Sequence, residues 1–121
     1  MKRFLTLTAI VLAACTSGAP MSSDIGLSEF DLHLQPSLTS GATTLEIQND
    51  GEFGHTVVVA DESGRIVAAT ALIGSGETGE LSVDLAPGRY EFTCRIVFQN
   101  EDGSISDHYE QGMHASVTVE P

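Results

Sequence analysis

Two cysteines and four histidines carry most of the chemistry available to this chain: Cys15 and Cys94, then His33, His55, His108 and His114, with Met113 close behind. A thiolate beside imidazoles is a donor set for soft or borderline metals such as copper and zinc. Each residue alone has a plainer reading. A buried cysteine on a strand is usually a small hydrophobe, and an inward histidine is usually a satisfied core residue. The chemistry therefore depends on which of these side chains face inward together, and on the compartment in which they do so.

The first residues set an expectation for that compartment. Lys2 and Arg3 are followed by an apolar run over residues 4–14, broken only by two threonines. This run has the length of a signal-peptide core and is too short to span a bilayer as a helix. It ends in Leu12-Ala13-Ala14-Cys15, which resembles the bacterial lipobox. The resemblance implies cleavage after residue 14 and lipidation of Cys15, and so an extracytoplasmic, membrane-anchored protein. An ordinary secretory signal with an incidental Cys15 is the alternative. Residues 15–26, small, polar and aperiodic, read as the lipidated cysteine and a flexible tether of about 17–20 Å mean reach. Residues 27–121 read as one domain.

Cleavage would leave 107 residues, enough for one modest core, and would take the net charge from −12 to −14, because Lys2 and Arg3 leave with the signal. Arg65, Arg89 and Arg95 would be the only cations of lysine or arginine type left. Nucleic acid and anionic lipid would be repelled, while a basic protein partner fits. With Cys15 acylated, Cys94 would be a lone thiol in an oxidising compartment, exposed to oxidation and mispairing unless something protects it. A bound soft metal would do so.

Positioning falls to strands. From Leu27 onward the apolar residues alternate with period two: Phe30, Leu32 and Leu34; Leu45 and Ile47; Val57 and Val59; Leu81, Val83 and Leu85; Tyr90 and Phe92; Ala115, Val117 and Val119. Residues 66–72 form a less regular run. Asn49-Asp50-Gly51, Ser63-Gly64, Gly74-Ser75-Gly76 and Pro87-Gly88 mark turns between them. No segment carries a helical stripe. The pattern predicts an all-β antiparallel sandwich or barrel of about seven or eight strands. Parity then sorts the candidate ligands. His55 is in phase with Val57 and Val59, Cys94 with Phe92, and Met113 with Val117, so all three face inward. His114 has the opposite parity, and His33 shares a solvent face with Glu29 and Asp31. His108 falls in a loop where parity is silent.

Four segments together resemble the cupredoxin family. Pro87-Gly88-Arg89-Tyr90-Glu91-Phe92-Thr93-Cys94 resembles its Pro-Gly-x-Tyr-x-Phe-x-Cys segment, and His108-Tyr109-Glu110-Gln111-Gly112-Met113 its His-x4-Met segment. Asn49-Asp50-Gly51 leading to His55 resembles the first-histidine strand, and Gly76-Glu77-Thr78 the approach to the Pro-Gly turn. The likeness covers roughly residues 27–121. It implies a Greek-key β-sandwich and one mononuclear type 1 copper held by His55, Cys94, His108 and Met113. It further implies one-electron exchange with a redox partner protein through an exposed edge of His108. In the family the residue after the first histidine often steadies the thiolate, which points to Thr56. Copper carriage or scavenging, and a metal-free interaction module, are the other readings. Catalysis is least favoured, because multicopper oxidases and nitrite reductases need further histidine clusters and only His33 and His114 remain.

One stretch departs from the family. Thirteen residues separate Cys94 from His108, where plastocyanin-like chains place only a few. Ile96 and Phe98, the Asp102-Gly103 turn signal and Ile105 predict an ordered β-hairpin over residues 95–107. Folding about Glu101 and Asp102 would set Arg95 opposite His108 and Cys94 opposite Tyr109, with Ile105 packed against the domain. Such a hairpin would either shield the edge of His108 or form the surface on which the partner docks.

Overall fold

The computed structural model describes residues 23–121. The predicted signal peptide, Cys15 and most of the predicted tether lie outside the described residues. Eleven short strands make up the described chain: β1 Ile25–Ser28, β2 Asp31–Leu34, β3 Ser37–Thr39, β4 Gly41–Asn49, β5 Val58–Asp61, β6 Ile66–Ala69, β7 Thr78–Leu85, β8 Gly88–Thr93, β9 Val97–Gln99, β10 Ile105–Asp107 and β11 His114–Glu120. One sheet runs in the order β2-β1-β4-β7 and the other β3-β11-β8-β5-β6, with β9 and β10 paired as a separate ribbon. Among the described residues no helix is long and apolar enough to cross a membrane.

The sandwich was legible as an all-β fold, but its sheets are mixed where an antiparallel arrangement was expected. β1 lies parallel to β4, and β3 parallel to β11. Both parallel pairs come from the chain's early passage across the two sheets. Pro36 has no N–H to extend the β2 ladder; it separates β2 from β3, and its carbonyl accepts from the Thr118 amide at 2.9 Å as the chain joins the second sheet. Ile25, fully buried and opposite Ile47, is already part of β1, so the first strand starts inside the stretch read as tether. Phe30 does not share a strand with Leu32 and Leu34. The chain reverses at Glu29 and Phe30, pairing Ser28 with Asp31 and Leu27 with Leu32.

The core fills the space between the sheets, with Ile25, Leu27, Ile47, Leu81 and Val83 from one face against Val57, Val59, Phe92, Val117 and Val119 from the other. This packing fixes the orientation of the metal-capable residues. A one-residue slip would expose Val57 and Val59 together with His55, at about 1.5–3 kcal/mol per valine. The predicted parities therefore hold: His55, Cys94 and Met113 are buried, and His33 and His114 are exposed.

The 95–107 hairpin is ordered, in a register one residue from the predicted one. Ile105 pairs with Gln99, Ser106 with Phe98 and Asp107 with Val97, and the His108 amide donates to Ile96 O at 2.9 Å. The shift comes from the turn. Asn100 and Ser104 close a three-residue loop in which Gly103 takes φ 85°, a loop type completed by a left-handed residue that glycine supplies without strain. The longer turn also leaves Ile105 63% exposed instead of packed.

Candidate metal centre

His55 approaches the site from the loop that follows β4. It forms an isolated bridge with Ile73, N–H to O distances being 3.0 and 2.8 Å. The loop is organised around Asn49, which is fully buried. Its Nδ2 donates to Phe53 O at 2.8 Å, Ile73 O at 2.9 Å and Gly74 O at 3.2 Å, and its Oδ1 accepts from the Gly51 amide at 2.9 Å. Asn49 thus supports the chain on both sides of the His55 bridge. Replacing it with Ala should cost about 3 kcal/mol in chemical denaturation, because several buried backbone groups lose their partner at about 1–3 kcal/mol each, softened by entering water. An Asn49→Ala protein as stable as the parent would show that these bonds contribute nothing net.

Cys94 follows the last residue of β8, and its amide donates to Met113 O at 3.0 Å. Its thiol is free, and the residue has no exposed surface. The Thr56 amide donates toward Sγ at 3.5 Å, with Thr56 Oγ1 at 3.8 Å. Thr56, singled out from the sequence, therefore brings both its amide and its hydroxyl to the sulfur.

His108 is aimed by the turn beyond β10, not by strand parity, which is why a one-residue register change does not swing it away. Gln111 N–H donates to Asp107 O, and Met113 N–H donates to His108 O, both at 3.0 Å. Gly112 allows this turn to close. Its φ is +119°, and a Cβ there would stand 3.2 Å from Phe30 O. Met113 is fully buried, and its backbone is bonded to that of both Cys94 and His108.

These elements bring three donor atoms together. His55 Nδ1 and His108 Nδ1 are 3.2 Å apart, and Cys94 Sγ is 3.9 Å from the first and 3.5 Å from the second. The point equidistant from the corners of such a triangle is about 2.1 Å from each, a metal–nitrogen bond length and slightly short of a metal–sulfur one. Among the described residues His55, Cys94 and His108 form the one group of three metal-capable side chains. Burial, followed by the neighbouring His55, pushes the His108 pKa below its usual value, against the pull of Glu29 and Asp107. A neutral imidazole with a free lone pair is the form a metal needs. The site therefore fits a single small metal ion held by two nitrogens and one sulfur.

Two features of the surroundings complete the site, and the first, shielding of His108 by the inserted hairpin, is one of the two roles that the sequence leaves open for that hairpin. His108 is only 1% exposed, with the Phe30 ring centroid 5.0 Å and the Phe98 centroid 5.8 Å away. The hairpin and the β1–β2 turn cover the edge that the family resemblance would leave open. His108 Nε2 is buried without a hydrogen-bond partner. The second feature is Glu29, assigned to the solvent face from its parity. It accepts from His55 Nε2 at 3.1 Å. Nothing in its sequence context marks it, since a glutamate in a polar turn is ordinarily solvated. His33 and His114 do not join the cluster, and the His114 ring lies 4.9 Å from that of Tyr109.

Neither a protein-family model nor a curated protein sequence matches the chain. Solved structures do match its fold. An azurin (Az-iso2) from Methylomonas sp. strain J superposes with TM-score 0.60 at 14% identity, covering 80% of this chain and 95% of the azurin. Auracyanin A, a "blue" copper protein from Chloroflexus aurantiacus, gives 0.56 at 16% identity over 79% and 95% of the two chains. A purple cupredoxin from Nitrosopumilus maritimus gives 0.52 at 18% identity over 81% and 99%. The architecture is thus a cupredoxin-like β-sandwich. Within that sandwich the chain carries a buried His-Cys-His cluster placed to bind a metal.

Proposed function

We propose that this chain is a type 1 copper protein that carries single electrons outside the cytoplasm. The observation that supports it most is the convergence of His55 Nδ1, His108 Nδ1 and Cys94 Sγ, all within 4.8 Å of one another and buried, in a fold shared with azurin and auracyanin. Two imidazoles and a thiolate, with Met113 as the weak axial donor implied by the family resemblance, are the electron-transfer set for copper. Copper held there would supply one-electron exchange between its two common oxidation states. The chain's own residues hold the donors still: the Thr56 amide and hydroxyl steady the sulfur, Glu29 orients His55, and Phe30 and Phe98 exclude water from His108. Burial of all three donors favours exchange of an electron over handover of the ion, so copper carriage is the weaker reading. The test is a visible absorption titration of protein lacking residues 1–15 with Cu(II). An intense thiolate-to-copper band saturating at one equivalent is expected. A colourless product with a freely titrating Cys94 would favour the metal-free module.

The partner we propose is a basic redox protein, matching the net charge of −14 that cleavage after residue 14 would leave from the full chain's −12. Its contact face would include Phe53, 48% exposed, whose ring is 6.4 Å from that of Phe98 and so one aromatic ring away from His108. Anchoring through a lipidated Cys15 is part of the same proposal and rests on the lipobox resemblance alone. Cys15→Ser should abolish lipid labelling and recovery with membranes. A Cys15→Ser protein that still fractionates with membranes would remove the anchor from the account.

A further inference from the structure

The β1–β2 turn reaches over both imidazoles at once: Phe30 lies against His108, and Glu29 meets His55. The Glu29 carboxylate is held from three sides. Oε1 accepts from the Phe53 amide at 2.9 Å and faces His55 Nε2 at 3.1 Å, while Oε2 accepts from the Glu52 amide at 2.9 Å. Both amides can only donate, so both oxygens act as acceptors there, and His55 Nε2 must carry the hydrogen that it shares with Oε1. In the neutral ring the lone pair is then on Nδ1, the atom that faces Cys94 and His108. The space is fitted to this carboxylate: a Cβ on Gly51 would stand 2.8 Å from Glu29 Cδ, where no side chain can sit without moving it.

We infer that Glu29 is a positioning residue that fixes the His55 tautomer and, through its charge, lowers the reduction potential of copper bound at the cluster. The inference rests on the copper reading above. A carboxylate hydrogen-bonded to the far nitrogen of a metal-bound imidazole fixes ring and tautomer and raises the basicity of the ligating nitrogen. The added negative charge attracts a doubly charged ion more than a singly charged one. Glu29 would therefore favour the oxidised ion, and its neutral replacement the reduced one. Removing such an outer partner changes metal affinity by about 10–100-fold. With the effect concentrated on the oxidised ion, Glu29→Gln should lower the Cu(II)/Cu(I) affinity ratio about tenfold, equivalent to a rise of about 59 mV in potential.

Three measurements on the domain from residue 16 onward test this. In copper-free wild type, nitrogen NMR of neutral His55 should show the proton on Nε2; neutral His55 with its proton on Nδ1 would overturn the inference without reference to copper. In copper-loaded protein, Glu29→Gln should keep the absorption band and raise the potential. Gly51→Ala, which leaves the carboxylate in the chain but displaces it, should raise the potential in the same direction, and it decides the matter if Glu29→Gln does not fold. A wild-type band with potentials unchanged within a factor of two in the affinity ratio overturns the role of Glu29 alone. A wild type that never develops the band overturns the copper reading, and the inference with it.

Discussion

Cys94→Ser is expected to leave a folded protein that has lost the intense visible band and binds Cu(II) about a hundredfold to a thousandfold more weakly. The side chain is fully buried between His55, His108 and Thr56. Serine has nearly the same shape, and its hydroxyl can take the Thr56 amide hydrogen that Sγ receives, so the sandwich should survive. The charge-transfer band cannot survive, because it belongs to the copper–sulfur bond. Structural zinc sites with four ligands bind with about 10–16 kcal/mol, so on that scale one ligand accounts for roughly 2.5–4 kcal/mol, or a factor of about 10²–10³. Isothermal titration and absorption on the same samples give both readouts. Unchanged copper affinity in Cys94→Ser would place the ion elsewhere on this acidic surface.

The second large effect is stabilisation by the metal. The three donors come from the loop before β5, the end of β8 and the turn after β10, so a bound ion ties together segments that the unfolded chain keeps apart. At free copper a thousandfold above the dissociation constant, the native state should gain about 4 kcal/mol. For a domain of this size that is a rise of roughly 16–30 °C in melting temperature, reversed by a chelator. Amide exchange locates the gain. The β9–β10 ribbon is a two-stranded hairpin, marginal by itself, and is attached to the site at both ends, through Cys94 and His108. Its amides over residues 95–107 should exchange more slowly with copper bound. Fast exchange there in both states, or a melting temperature indifferent to copper, would separate the hairpin from the site and remove His108 from the ligand set.

The sequence shows this site unevenly, for physical reasons. Strand alternation is a two-residue signal backed by core burial, so the inward facing of His55, Cys94 and Met113 could be read directly, as could the outward facing of His33 and His114. The Asp102-Gly103 signal located the hairpin, but one residue of turn length separates two registers, and only the Asn100 to Ser104 closure decides between them. The reversal at Glu29 and Phe30 has no glycine, proline or asparagine to announce it. Without such a signal, alternation alone puts Glu29 on a solvent face and Phe30 in a strand, whereas Glu29 meets the His55 ring and Phe30 the His108 ring. The parallel pairings of β1 and β3 depend on contacts between distant segments, about which local periodicity says nothing.

The central claim is that one copper ion is held by His55, Cys94 and His108, and anomalous scattering at the copper absorption edge tests it most directly. Crystals of the domain grown with one equivalent of copper should show a single strong anomalous peak inside the triangle formed by His55 Nδ1, His108 Nδ1 and Cys94 Sγ. A triangle without a peak, or copper on surface carboxylates, His33 or His114, would contradict the account.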